Sequence, residues 1–281
     1  MKKINSINAM QQLSRQMLAA GKSIGLVPTM GALHQGHVSL IDQARVDNDF
    51  VVVSIFVNPK QFSANEDLDK YPKKHEHDLQ LCLKHGADAV FMPEINEIYP
   101  SDFQSSVEVS GLDAYMCGAN RPGHFKGVTT VIAKLFNIVK PHNAYFGQKD
   151  WQQCAIIKKM TRDLNFDLNI ITCPIIRDTD GLALSSRNAY LSAQERSNAA
   201  VIPKALQAMK QCIENGEKNT QTIKQQALEL LLPIKNMSVE YLVLVDPDTL
   251  LEVDSMSSNV LAALALKLGS TRLIDNILVE I

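Results

Sequence analysis

The 281-residue sequence has no uninterrupted apolar run longer than about Val260 to Leu266, far short of the roughly 18 residues that span a bilayer. A membrane-spanning helix is therefore excluded as an expectation. Lys2 and Lys3 imitate the charged start of a signal peptide, yet Asn5, Asn8, Gln11 and Gln12 interrupt the apolar stretch that would have to follow. Cysteine is scarce: Cys82, Cys117, Cys154, Cys173 and Cys212 are scattered, odd in number and never spaced C-x-x-C, which argues against disulfide and zinc frameworks. The thiols read mostly as small core residues in a reducing cytoplasm. Charge of one sign is lacking too, with 28 Lys and Arg against 30 Asp and Glu for a net charge of -2. No general attraction for nucleic acid or an anionic membrane follows from that balance. Repeats and low-complexity tracts are missing, and 46% apolar with 21% charged residues is an ordinary globular composition.

What is present divides in two. Up to about residue 176, apolar runs of strand length (Ile24 to Pro28, Phe50 to Val57, Ala87 to Met92, Asn143 to Phe146 and Asp167 to Cys173) alternate with segments of helical period. Val128, Val131, Ile132, Leu135 and Val139 form one helical stripe. Strands that are nearly all apolar suit a parallel sheet covered on both faces, so residues 1–176 are expected to form an α/β, doubly wound, Rossmann-like domain. Residues 177–281 change character. Gln194 to Asn215 and Thr220 to Leu232 predict helices, and Glu240 to Val245, Val260 to Leu268 and Arg272 to Ile281 predict strands, the last two joined by a hairpin at Gly269-Ser270. This is the pattern of a smaller α+β domain sharing an interface with the first.

Five clusters carry the candidate chemistry. Pro28-Thr29-Met30-Gly31-Ala32-Leu33-His34-Gln35-Gly36-His37 leaves the first apolar strand and enters a helix, where an open α/β sheet binds ligands. The glycines allow close backbone approach, and the helix N-terminus favours phosphate. Two imidazoles three residues apart share one helical face and can donate to phosphate oxygens as a pyrophosphate departs, which is electrostatic stabilisation. Taken alone, H-x-x-H also fits surface histidines. A zinc site would need further ligands, which His75 and His77 do not complete. Asn58-Pro59-Lys60-Gln61-Phe62 follows the next strand and offers amides to a hydroxyl or carboxylate, or is a plain Asn-Pro turn. Arg121-Pro122-Gly123-His124-Phe125-Lys126-Gly127 is a cationic, glycine-rich loop before a helix. Phe146-Gly147-Gln148-Lys149-Asp150-Trp151-Gln152-Gln153 is again a strand end running into a helix, with Lys149 as a point charge and Asp150 suited to cap the helix. Asp180 to Asn188 puts Ser185, Ser186 and Arg187 together near the domain boundary, hydroxyls and a guanidinium that can wrap phosphate oxygens.

In order along the chain, P-T-M-G-A-L-H-Q-G-H, S-I-F-V-N-P-K-Q-F, R-P-G-H-F-K-G-V, F-G-Q-K-D-W-Q-Q and D-G-L-A-L-S-S-R-N resemble the pantothenate synthetases, or pantoate-beta-alanine ligases, within the H-x-G-H nucleotidyltransferases. The resemblance implies two steps: pantoate attacks the α-phosphorus of ATP to give pantoyl adenylate and pyrophosphate, then beta-alanine attacks the acyl carbon and AMP leaves. It implies that Met30, Gly31, Ala32, Leu33, His34, Gln35, Gly36 and His37 bind ATP, with His37 as the general-acid-like residue. Gly147, Gln148, Lys149, Asp150, Ile176, Leu184, Ser185, Ser186 and Arg187 would complete that site. His34, Lys149, Ser185, Ser186 and Arg187 would share the phosphate chemistry, while Gln61 and Gln153 would hold pantoate, with Asn58, Arg121 and His124 at matching motif positions. Magnesium is expected on the phosphates. Family acids near His75-Glu76-His77-Asp78 leave only Asp78 as a candidate metal ligand. A homodimer in the cytoplasm, with no nucleic-acid or membrane partner, completes the expectation.

Two other classes share parts of this pattern. An adenylyltransferase that stops at an adenylated product would carry the same H-x-G-H loop with another acceptor pocket, and AMP release dependent on beta-alanine separates the two. A noncatalytic nucleotide- or RNA-binding module would bind without turnover, although no basic stretch interleaved with aromatics supports RNA.

Overall fold

A computed structural model describes residues 1–63, 66–256 and 258–280. The first part runs β1 (Lys2–Ile4), α1 (Ile7–Ala19), β2 (Ile24–Thr29), α2 (Gln35–Asp47), β3 (Phe50–Ile55), α3 (His75–Lys84), β4 (Ala89–Phe91), α4 (Ile95–Ile98), α5 (Met116–Asn120), α6 (His124–Val139), β5 (Asn143–Gly147), α7 (Trp151–Asp163) and β6 (Asn169–Cys173). Its six strands form one sheet in the order β1-β4-β3-β2-β5-β6, and every pairing is parallel. Val51, Val52 and Val53 are inaccessible to solvent because helices cover both faces of the sheet. One face packs on α1 and α6, whose predicted stripe Val128, Val131, Ile132, Leu135 and Val139 is buried. The other carries Leu40, Ile41 and Ala44 of α2 and Cys82 of α3. The fold is α/β and Rossmann-like, as the strand and helix alternation predicts.

The chain order reverses between β2 and β5, which is where such a sheet opens a crevice at its carboxyl edge. These two strands are paired only at Gly25 and Leu26. Beyond that they part, and Pro28, with no N–H to give to a ladder, lines the opening.

The second part contains α8 (Ala193–Ala199), α9 (Val201–Glu214), α10 (Thr220–Leu231) and strands β7 (Met237–Val245), β8 (Val260–Leu268) and β9 (Thr271–Val279). The strands make an antiparallel sheet in that order, and α9 and α10 bury Ile202, Leu206, Met209 and Ile223 against it. Gly269 takes φ 58° at the first position of the predicted two-residue turn. Trp151 joins Val245, Leu261 and Ala263 in an apolar contact between the two parts, and its indole N–H donates to the Pro247 carbonyl at 2.8 Å.

Several predicted spans change. Residues 194–215 are two helices, because Pro203, in the first turn of α9, lacks the N–H that would continue the ladder back to Ala199. β3 stops at Ile55, ahead of Asn58 and Pro59. β9 ends at Val279, and Ile281 lies outside the described residues. β1 has no counterpart in the expectation, since three residues carry no periodicity. All five cysteines are free, and four are buried. Among the described residues no helix is long and apolar enough to cross a membrane.

Candidate active site

A cleft of about 1390 Å³, counted to its open mouth, lies at the carboxyl ends of β2, β3, β5 and β6. All five sequence clusters reach it. Its wall includes Met30, His34, Gly36, His37, Asn58, Gln61, Arg121, His124, Gly147, Lys149, Asp150, Gln153, Ile176, Leu184, Ser185, Ser186 and Arg187. Gly31, Ala32, Leu33, Gln35 and Gln148 do not line it. The first three are buried behind it and Gln35 is exposed to solvent.

The loop from β2 to α2 is held from behind. Gly31 and Ala32 both adopt left-handed backbone, φ 86° and 51°, a conformation that costs a non-glycine residue about 1–2 kcal/mol. The turn sends the N–H groups of Ala32 and Leu33 to the two oxygens of Asp78, at 3.0 and 2.8 Å. Asp78 is wholly buried in α3. Thr29 Oγ1 accepts the Gly31 N–H at 3.2 Å and donates to the Ser54 carbonyl at 2.8 Å, tying the loop to β3. A candidate metal ligand from the sequence, Asp78 is instead the clamp of this loop, both of its oxygens being occupied by backbone. His75, Glu76 and His77 are exposed in the first turn of α3. Among the described residues no group of three or more His, Cys, Asp or Glu is arranged to hold a metal.

At the mouth of this loop His34 caps α2. Its Nδ1 accepts the Gly36 N–H at 3.1 Å, and His37 Nδ1 accepts the His34 N–H at 3.3 Å. A nitrogen that accepts carries no proton, so both neutral rings hold theirs on Nε2. The two rings, tilted to one another with centroids 4.2 Å apart, are neutral for a physical reason. Burial, then the Lys149 charge, lowers His34 to about 4. Burial, then His34 and Lys149, lowers His37 to about 3. The arrangement offers two uncharged N–H donors at a helix N-terminus, fitted to oxygen anions.

Two glutamines line the same cleft. The Gln61 carboxamide accepts from Asn58 Nδ2 at 3.0 Å and donates to Met30 Sδ at 3.0 Å. Among the described residues the Gln153 side chain has no hydrogen-bond partner, which leaves its whole amide for a ligand. Asn58 is spent internally: it also donates to the Gly127 carbonyl and accepts from Lys60 N–H and Tyr99 Oη. Arg121 is likewise committed, to the Glu66 carboxylate at 2.6 and 2.7 Å. Both therefore shape the wall more than they reach into the cleft.

The anion side is built from two directions. Lys149 Nζ lies 3.7 Å from Asp150, and Asn276 of β9 donates to the carbonyls of Gln148 and Lys149 at 3.0 and 2.9 Å. Ser185 Oγ accepts the Arg187 N–H at 3.3 Å and caps a 3-10 turn, Ser186–Tyr190. Arg187 gives Nε and Nη2 to Asp67 at 3.0 and 2.8 Å, leaving Nη1 uncommitted among the described residues. The sequence reading contains neither Asp67 nor Asn276, nor the clamping role of Asp78. No local pattern marks them, because these contacts span 45 to 128 positions of chain.

Comparison with known proteins agrees with this geometry. Residues 2–278 match the family model described as pantoate-beta-alanine ligase. The pantothenate synthetase of Acetivibrio thermocellus is 50% identical over 281 residues, covering 100% of both chains. Among solved structures, pantothenate synthetase from Thermus thermophilus superposes with a TM-score of 0.93 at 40% identity over 99% of each chain. The Francisella tularensis pantoate-beta-alanine ligase, described as complexed with beta-gamma ATP and beta-alanine, gives 0.81 at 34% identity over 99% of this chain and 97% of its own. The chain belongs to the pantoate-beta-alanine ligase family, the pantothenate synthetases.

Proposed function

We propose that the protein condenses pantoate with beta-alanine at the expense of ATP, through pantoyl adenylate, releasing pyrophosphate and then AMP. A carboxylate is a poor electrophile, and adenylation gives its carbonyl a leaving group. In the first step a pantoate oxygen attacks the α-phosphorus and the bond to the β,γ-diphosphate breaks. In the second the free amine of beta-alanine attacks the acyl carbon, the bond to AMP breaks, and the amine loses a proton. The single observation that carries the reading is the pair of neutral Nε2–H donors of His34 and His37 at the start of α2, facing a cleft with an uncommitted Gln153 amide.

In this reading the two imidazoles donate to phosphate oxygens whose charge grows as pyrophosphate departs. His37, held neutral by burial, acts as a hydrogen-bond donor. Lys149, Ser185, Ser186 and Arg187 take the β- and γ-phosphates, and Met30, Gly36, Gly147, Ile176 and Leu184 line the nucleotide. Gln61 and Gln153 orient pantoate for in-line attack, with Asn58 and Arg121 as their supports. When bound, magnesium would supply charge neutralisation on the phosphates. It usually takes one or two carboxylates besides phosphate and water, and Asp150 is the acidic side chain on the cleft wall that suits it. Residues 177–281 form a smaller domain closing over the cleft, and the active species is a cytoplasmic homodimer.

The test measures AMP, pyrophosphate and pantothenate from ATP, magnesium and pantoate, with and without beta-alanine. Equal amounts of AMP and pantothenate only when both organic substrates are present, with pantoate-dependent ATP–pyrophosphate exchange when beta-alanine is withheld, support the reading. Folded protein that gives no exchange and no pantothenate overturns it.

A further inference from the structure

Gln61 is held at both ends, its side chain by Asn58 and Met30 and its backbone carbonyl by His124 and Arg121. Its side-chain oxygen is taken by Asn58, so the end it presents to the cleft is the NH2 group. One hydrogen of that group meets the Met30 sulfur, and the other is free among the described residues. Its backbone carbonyl accepts from His124 Nδ1 at 2.7 Å and from Arg121 Nη2 at 3.3 Å. Arg121 Nη1 also lies 2.8 Å from His124 Nε2. A guanidinium only donates, so Nε2 must be bare and the His124 proton must sit on Nδ1, where the Gln61 carbonyl receives it. This is the opposite tautomer to that of His34 and His37.

Glu66 closes the series by chelating Arg121 through Nε and Nη2. Burial alone would raise the Glu66 carboxyl, but the Arg121 hydrogen bonds and charge outweigh it and hold it below its ordinary value. Burial, then the Arg121 charge, lowers His124 to about 4, so the ring stays neutral. Close packing fixes the same register, since a Cβ on Gly127 would lie 2.1 Å from the Lys60 carbonyl oxygen and 2.6 Å from the Gln61 nitrogen.

We infer that Glu66, Arg121 and His124 form a series of positioning residues that holds Gln61 with its side-chain N–H toward the acid substrate. The identity of that acid rests on the functional reading above; the tautomer does not. The series makes affinity for pantoate, more than for ATP, depend on a histidine of the cleft wall that acts through the Gln61 backbone carbonyl.

The experiment compares His124→Ala, His124→Asn and His124→Gln in the full-length enzyme. An asparagine amide sits where Nδ1 does and keeps the donor to the Gln61 carbonyl, whereas glutamine reaches the Nε2 position. His124→Ala is expected to raise the pantoate KM about tenfold, one hydrogen bond's worth, with the ATP KM changed less than about twofold. His124→Asn recovers most of that loss and His124→Gln does not. Parallel shifts in both KM values, or equal behaviour of Asn and Gln, overturn the inference. Nitrogen-15 NMR of the unsubstituted protein at neutral pH supplies a readout independent of activity. The His124 ring is expected as the Nδ1–H tautomer, with His34 and His37 as Nε2–H, and an Nε2–H ring at His124 refutes the series. A wild-type protein that shows this tautomer but makes no pantothenate would remove the functional reading alone.

Discussion

Replacing Asp78 by asparagine changes one atom and removes the geometry on which the β2–α2 loop depends. The carboxylate accepts two backbone N–H groups, from Ala32 and Leu33, and a buried hydrogen bond to a charged acceptor is worth about 1.5–3 kcal/mol. Asparagine keeps one oxygen and turns an NH2 toward the other N–H, so one bond is lost outright and the survivor falls to neutral strength, about 1 kcal/mol. Relaxation of Ala32 from φ 51° returns about 1 kcal/mol. The net expectation is a destabilisation of about 1–4 kcal/mol, with the loop displaced and both histidines moved with it. A shift of about 1 Å in reacting groups costs about a hundredfold in rate. Urea unfolding should show a lower midpoint at unchanged slope, and pantoate-dependent ATP–pyrophosphate exchange should fall by about that factor. A variant with the wild-type midpoint and wild-type exchange would show that the clamp positions nothing.

Three further outcomes follow from the site. Gly127→Ala should destabilise by about 1–3 kcal/mol and raise the pantoate KM, because the added methyl meets backbone at 2.1 Å; an unchanged KM would separate that helix from Gln61. His37→Ala should cut exchange about 100- to 1000-fold while leaving the fold intact, and near-normal exchange would remove the imidazole from the phosphate site. His37 is depressed from 6.5 to about 3, so between those values the unfolded chain binds the proton that the native state refuses. Stability should accordingly fall as pH drops through that window, at up to about 1.4 kcal/mol per pH unit for each such histidine. His37→Asn should flatten the slope between about pH 6.5 and 4.5, above the range of ordinary carboxyls, and an unaltered slope would mean that the ring is already protonated in the native state.

The α6 stripe, the β8–β9 hairpin and the five site clusters are legible in the sequence because each is a local signal, a period of 3.6, a turn dipeptide or a strand running into a helix. What joins the clusters is not local. Asp78 looks like one more acid in the charged segment 73–78, and only the three-dimensional fold shows that its two oxygens meet a loop 45 and 46 residues earlier. Arg121 and His124 read as a basic loop that could meet an anion, whereas packing turns them toward Glu66 and the Gln61 carbonyl. Pro203 signals the break at Ala200, yet apolar periodicity runs across it uninterrupted. β1 is defined by its pairing with β4, a property no three-residue window contains.

Asn276 on β9 reaches back 127 positions to the Lys149 carbonyl. During synthesis the parallel sheet and its histidine loop leave the ribosome long before β9 does, so the nascent first part carries an unbraced Lys149 turn. The Lys149 turn therefore acquires its brace only late in translation, and a chain halted before β9 would lack it even with every other cleft residue already made.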